Sequence, residues 1–351
     1  MSLNDKSFEN MFFSIFNPKK NEKILLVYDK PTNKINDNIK WKERRELIKK
    51  WYEYLLKLGK GKGFFVTLDS FSSIGENNKL LNIKNRLNFS KYNIIIAMTE
   101  FSITTTLVRI AREYPDTIRC ASMPLAEERM EKTVFNIDYS NVKKYAKNIK
   151  ILLQESNSAT IYFSTDDFLI IDLRNRIAGV DDGDCTKPGK IINLPSGEGF
   201  IAPYEGVDDE KKEYNKSKTK GILPLMYKNQ IIKAVVEENN IISFNGPVDI
   251  INELNDFFEK HPFRRNIAEL GIGCNPKATV SGNFIEDEKV GFHIAYGTSS
   301  HIGGKITSDI HKDIVYAKGC PIEAEKVILH QKNKDIVIIK DSMVQYDLLN
   351  R

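Results

Sequence analysis

The sequence predicts an α/β protein, with an N-terminal doubly wound parallel-sheet domain and a C-terminal mixed α+β domain. Three observations lead there. At 351 residues the chain exceeds one ordinary compact core, so two domains are expected. Short apolar strands alternate with helical patterns up to about residue 155, the texture of a parallel sheet flanked by helices. Beyond that point short β-rich segments follow one another between Asp, Gly and Asn turns. The boundary is expected near 155–160, giving an N-terminal α/β domain over 1–157 and a C-terminal metal-binding catalytic domain over 158–351.

Residues 1–22 read as polar and irregular, with an apolar knot at Met11-Phe12-Phe13. Ile24 to Tyr28 is a buried-type strand. From Trp41 to Leu58 apolar residues recur at helical spacing (Leu47, Trp51, Leu55, Leu58), and Gly59 ends the pattern. Gly63 to Leu68, Asn93 to Met98 and Thr117 to Met123 are further strands, with a helix from about Ser102 to Tyr114. Val142, Tyr145, Ala146, Ile149, Leu152 and Leu153 mark an amphipathic helix over Tyr139 to Glu155. Strands follow at Thr160–Phe163, Phe168–Leu173, Gln230–Val236 and Asn240–Phe244. Pro247 opens a helix that stops before Pro262, and Glu325–Gln331 and Asp335–Ile339 close the chain.

Composition narrows the function. The 52 basic and 47 acidic residues leave a net charge of only +5, too mild an excess to imply a nucleic-acid partner. Lys211-Lys212 through Lys220 alternate with Glu and Asn and read as a solvated loop. No stretch approaches the ~20 apolar residues of a membrane span, and the N-terminus has no signal pattern. The four cysteines (120, 185, 274, 320) form no CxxC pair, which points to reduced thiols and a cytoplasmic protein. Gly59-Lys60-Gly61-Lys62-Gly63 precedes a strand and lacks a Ser or Thr after its Lys, so it reads as a plain loop rather than a phosphate loop.

The residues that carry chemistry gather between Arg265 and Lys318. Three of the five histidines (His293, His301, His311) fall there, among the acidic groups Glu286-Asp287-Glu288 and Asp309-x-x-x-Asp313. Imidazole and carboxylate are the usual ligands of divalent metals. His311 and Asp313, two apart in an apolar run, share one face of a strand. Glu288 and His293 are five apart and need a turn between them, which Gly291 can supply. Glu269 lies in the apolar, Gly-rich run Ile267–Gly273, where a carboxylate is costly to bury without a cation or donors. Glu198 sits between two glycines in a tight loop. Cys274 nearby reads as a small packed residue.

The ordered segments Pro-Ser-Gly-Glu-Gly-Phe, Asn-Ile-Ala-Glu-Leu-Gly-Ile-Gly, Glu-Asp-Glu-Lys-Val-Gly-Phe-His-Ile-Ala-Tyr-Gly and Ser-Asp-Ile-His-Lys-Asp, over about 193–315, resemble the aminopeptidase T family of metallopeptidases, the thermophilic aminopeptidases. The resemblance implies a homodimeric, metal-dependent aminopeptidase that removes N-terminal residues from peptides. It implies two divalent ions (zinc, cobalt or manganese) on Glu198, Glu269, Glu288, His293, His311 and Asp313, with Glu269 bridging and acting in catalysis. Where the family carries a Tyr, seven residues after the first His, this chain has Ser300, followed by His301, so Ser300 or His301 is the candidate substitute and His301 the second catalytic candidate. The same fold family includes ring-cleaving dioxygenases of hydroxylated pyridines, for which His293, His311 and Asp313 would hold one iron; the retained Glu198, Glu269 and Glu288 disfavour that alternative. A metal-binding protein without peptidase activity is the third.

Overall fold

A computed structural model describes residues 5–81, 87–207, 210 and 215–350. The chain divides into two compact units, Met1–Lys143 with Asp181–Ser196, and Lys144–Val180 with Gly197–Arg351. The position expected for the domain boundary, 157/158, falls inside a strand of the second unit.

The first unit begins with a helix where an irregular segment was expected. Helix α1 (Asp5–Phe16) buries Phe8, Met11, Phe12, Ile15 and Phe16, a 3–4 spacing that makes one apolar stripe. The Phe8 ring meets Trp51 edge-on, with centroids 5.2 Å apart. After β1 (Lys23–Lys30), helix α2 spans Ile39–Lys62. The Asn38 side chain caps it by accepting from the Trp41 amide at 2.8 Å. The glycine-rich segment expected to be a loop is the last turn of this helix. Gly59 has no room for a Cβ, which would lie 2.6 Å from the Phe64 carbonyl oxygen, and Gly63 caps the helix at φ +83°. Strands β2 (Phe65–Ser72), β3 (Ile94–Ala97) and β4 (Arg119–Ser122) follow, with α3 (Thr104–Glu113) between the last two. Helix α4 (Tyr139–Gln154) leads into the second unit.

That unit contains β5 (Ser156–Phe163), β6 (Phe168–Asp172) and β7 (Gly179–Asp181). The chain then returns to the first unit for β8 (Ile191–Asn193) before β9 (Glu198–Ile201). The remaining elements are β10 (Lys220–Tyr227), β11 (Gln230–Glu237), β12 (Asn240–Asn245), α5 (Val248–Glu259), β13 (Ile267–Gly273), the single turn α6 (Phe284–Asp287), β14 (Phe292–Gly297), β15 (His311–Val315), β16 (Ala324–Gln331), β17 (Asp335–Lys340), β18 (Met343–Val344) and α7 (Tyr346–Leu349). Residues 211–214 of the expected basic loop lie outside the described residues. No helix among the described residues is long and apolar enough to cross a membrane.

The first unit's sheet has the order β2-β1-β3-β4-β8, parallel throughout. Its inner strands are buried on both faces, as in Ile94-Ile95-Ile96-Ala97. The second unit has an antiparallel sheet ordered β12-β11-β10-β6-β5-β16-β17-β18 and a smaller one ordered β15-β14-β13-β9-β7. One hydrophobic cluster joins them, with Ile161, Leu223 and Val327 from the larger sheet and Leu270, Ile272, Ile294 and Tyr296 from the smaller. Leu254 and Phe258 of α5 complete it. The opposite face of the smaller sheet is left for polar side chains.

Two substitutions test this architecture. Gly61 lies inside α2 with nothing within 4 Å of where a Cβ would stand, so G61A should raise stability by about 0.5–1 kcal/mol; a lowered denaturation midpoint would contradict a helix continuing through Lys62. Arg119 is buried and grips Glu22 through both terminal nitrogens, at 2.8 and 2.7 Å. Burial alone would raise the Glu22 carboxyl, but the Arg119 guanidinium outweighs it and holds the group below the usual carboxylate range. A depressed pKa in the folded state stabilises above the unfolded pKa, and that contribution is lost as pH falls. E22Q should therefore cost about 2 kcal/mol at pH 7, less than the roughly 3–5 kcal/mol of a fully buried pair because Glu22 stays partly exposed. The gap to the parent chain should narrow below about pH 4; a gap independent of pH would overturn the assignment.

Candidate metal centre

The polar face of the smaller sheet is built by the two-residue period of its strands. On β13, Glu269, Gly271 and Gly273 face one way and Leu270 and Ile272 enter the core. On β14, His293, Ala295 and Gly297 alternate with Ile294 and Tyr296 in the same manner. The register puts Glu198 opposite Gly273, His293 opposite Gly271, Asp313 opposite Ala295 and His311 opposite Gly297. Each long polar side chain thus stands beside a residue with little or no side chain. At Gly271 the requirement is strict, since a Cβ there would lie 1.9 Å from His293 Nε2.

Glu269 is the hub. Its Oε2 is 3.1 Å from His311 Nε2, and its Oε1 is 3.7 Å from His293 Nε2. His311 Nε2 is also 3.4 Å from Asp313 Oδ1. Glu269, His311 and Asp313 each offer a ligand atom, and these atoms lie within 4.8 Å of one another. The His311 ring is set for such a role: its Nδ1–H donates to the Thr298 carbonyl oxygen at 2.8 Å, which leaves Nε2 directed at the carboxylates. His293 Nε2 also lies 3.7 Å from Glu198 Oε2.

Electrostatics describe a face that attracts cations. Burial would lower the His293 pKa, but the carboxylates of Glu269 and Glu198 push it up to about 9. His311 is raised well above the ordinary imidazole value against the same effect of burial, by Asp313 and Glu269. Burial would raise Glu269, yet the two imidazoles hold it far below the usual carboxylate range. Buried imidazoles that retain protons mark a surplus of carboxylate charge, and a divalent ion meets that surplus equally well. The donor set of carboxylates and imidazoles therefore fits a divalent metal.

Glu198 and Glu288 have another partner. Lys289 is fully buried, and its Nζ lies 2.6 Å from Glu198 Oε1 and 2.9 Å from Glu288 Oε1. Burial pushes the Glu288 carboxyl up to about 8 despite the adjacent ammonium. The rest of the acidic segment is structural: Asp287 accepts from the Ser281 and Gly282 amides at 2.7 and 3.0 Å, and Glu286 from the Thr279 amide at 3.3 Å. Asp309 leaves the centre to accept from Arg264 Nε at 2.9 Å.

At the rim, a short 3-10 turn (Ser300–Ile302) carries His301, whose ring meets His311 edge-on with centroids 4.6 Å apart. Glu205, buried and paired with Arg176 at 3.0 Å, accepts from the Ser299 hydroxyl and from the Lys305 amide at 2.6 Å, tying both ends of this turn down. Ser300 is exposed and bonds within the turn, to Thr298 and Thr307. Tyr296 is buried on the core side against Phe258, so it cannot stand in for a tyrosine at the site. Cys274 packs in the core.

Because the pleat places His293 over Gly271, G271A should force the imidazole aside. It should cost about 1–3 kcal/mol of stability and weaken divalent-ion binding at least about tenfold. Calorimetric titration checks this, and parental affinity in G271A would overturn the packing argument.

No protein-family model matches the chain, and neither does any curated protein. Solved structures do. The 2,5-dihydroxypyridine dioxygenase of Pseudomonas putida KT2440 superimposes with a TM-score of 0.70 at 14% identity, covering 99% of both chains. Wild-type AmpT of Thermus thermophilus, an aminopeptidase T, superimposes with a TM-score of 0.60 at 12% identity, covering 97% of this chain and 98% of its own. At such identities the likeness is one of fold: this chain has the fold shared by a dihydroxypyridine dioxygenase and an aminopeptidase, both of them enzymes.

Proposed function

We propose that the chain is a metal-dependent hydrolase that releases N-terminal residues from peptides, working at the face formed by Glu269, His293, His311 and Asp313. The observation that carries this reading is the density of carboxylates around two imidazoles. Glu269 and Asp313 both face the imidazoles, one carboxylate more than a single two-histidine, one-carboxylate iron centre needs. An anionic face also suits the protonated α-amine of a peptide.

Glu269, His311 and Asp313 would hold the ion, with His293 beside them. When bound, a divalent ion polarises the scissile carbonyl and lowers the pKa of water. The protein's own groups supply the rest. Glu288, with its carboxyl near 8, can take a proton and return it close to neutral pH. The Thr298 carbonyl fixes the His311 tautomer. His301, whose ring meets His311 edge-on at the rim, is the second catalytic candidate. Zinc, cobalt and manganese all suit this donor set. A homodimer remains part of the proposal on the family resemblance, and a cytoplasmic location on the cysteine pattern.

E269Q and H311A should each lower metal-dependent release of amino acids from aminoacyl amides by at least about 100-fold, since a direct ligand matters more than the groups that orient one. Full activity in either variant would sink the assignment.

One observation favours a second reading. His293, His311 and Asp313 are the two histidines and one carboxylate that a mononuclear iron oxygenase uses, and the larger of the two TM-scores belongs to a dioxygenase. Oxygen uptake on dihydroxypyridines by the iron-loaded chain, without release of amino acids from any aminoacyl amide, would replace the hydrolase with a dioxygenase.

A further inference from the structure

We infer that Lys289 is a resident cation of this centre, whose ammonium occupies the Glu198–Glu288 carboxylate pair and limits the chain to a single divalent ion. The inference rests on the metal-centre reading above and departs from the pair of ions that the family resemblance implied. A pair of ions about 3.5–4 Å apart needs carboxylates on both sides. Here one side is taken, since one oxygen of Glu198 and one of Glu288 lie 2.6 and 2.9 Å from the same Nζ.

The lysine is enclosed and its backbone is pinned. The Lys289 side chain has no exposed surface. Its amide donates to the Glu286 carbonyl at 2.9 Å, and its own carbonyl accepts from the Asn275 amide at 3.0 Å. Gly273 lies against this backbone, where a Cβ would stand 2.3 Å from both the Glu288 backbone carbonyl oxygen and the Lys289 carbonyl carbon. A second ion would have to displace a buried charge that has nowhere to be solvated. Charge agrees with geometry, because Glu269 and Asp313 together balance one doubly charged ion, and Glu198 balances the Lys289 ammonium.

The sequence hides this role. A lysine among Glu286, Asp287 and Glu288 reads as part of a solvated acidic surface, and only burial shows it to be enclosed.

The test is ion stoichiometry. The full chain is stripped with chelator, titrated calorimetrically with zinc or manganese, and analysed for metal after dialysis. One ion per chain is expected for the parent and two for K289A, which frees both carboxylates and leaves space. Two ions in the parent, or one in a folded K289A, would overturn the inference. Should K289A fail to fold, E288Q decides: with Glu288 on Lys289 the affinity changes less than about tenfold, whereas a metal ligand would lose at least that much. A folded parent chain that binds no ion overturns the metal reading itself, and this inference with it.

Discussion

The smaller sheet of the second unit has to serve two media at once. One side belongs to a dry core, and the other must hold charged groups away from bulk water. The two-residue period of a strand is the device that allows it, because successive side chains cannot share a face. Leu270, Ile272, Ile294 and Tyr296 go to the core, and Glu269, His293 and their neighbours go to the centre. A one-residue slip of β14 against β13 would send His293 into the apolar cluster and Ile294 among the carboxylates. The core therefore fixes the register, and the register fixes the geometry of the site.

Charge is organised in two compartments on that face. Around Glu269, imidazoles and carboxylates answer one another and leave a negative surplus. A few ångströms along, Lys289 and its two glutamates are closed on themselves. Glu198 links the two, with one oxygen on the ammonium and the other towards His293.

Much of the architecture was legible in the sequence because it rests on long, strongly patterned segments. The apolar strands of the parallel sheet and helices α2, α4 and α5 fall close to where their periodicity places them. Helix α1 was missed, although Phe8, Phe12 and Ile15 carry the spacing, because polar residues surround a short run. The return of residues 181–196 to the first unit was not readable, since a three-residue strand such as β8 gives too few side chains to show a period. At the centre, the pairing of His311 with Asp313 on one strand face followed from their spacing. What spacing could not show was which carboxylates meet the imidazoles and which meet Lys289. That depends on how α6 and the turn after it fold back under Gly273, a contact between segments distant in sequence.

Gly271 illustrates a general hazard in judging variants. It has no functional group, and an inventory of reactive side chains would pass over it. Yet every codon change that alters this residue adds at least a Cβ where His293 Nε2 already stands. A harmless-looking glycine-to-alanine allele at this position would thus behave like the loss of a ligand, and a clinical or evolutionary score based on chemical similarity would rank it among the mildest exchanges.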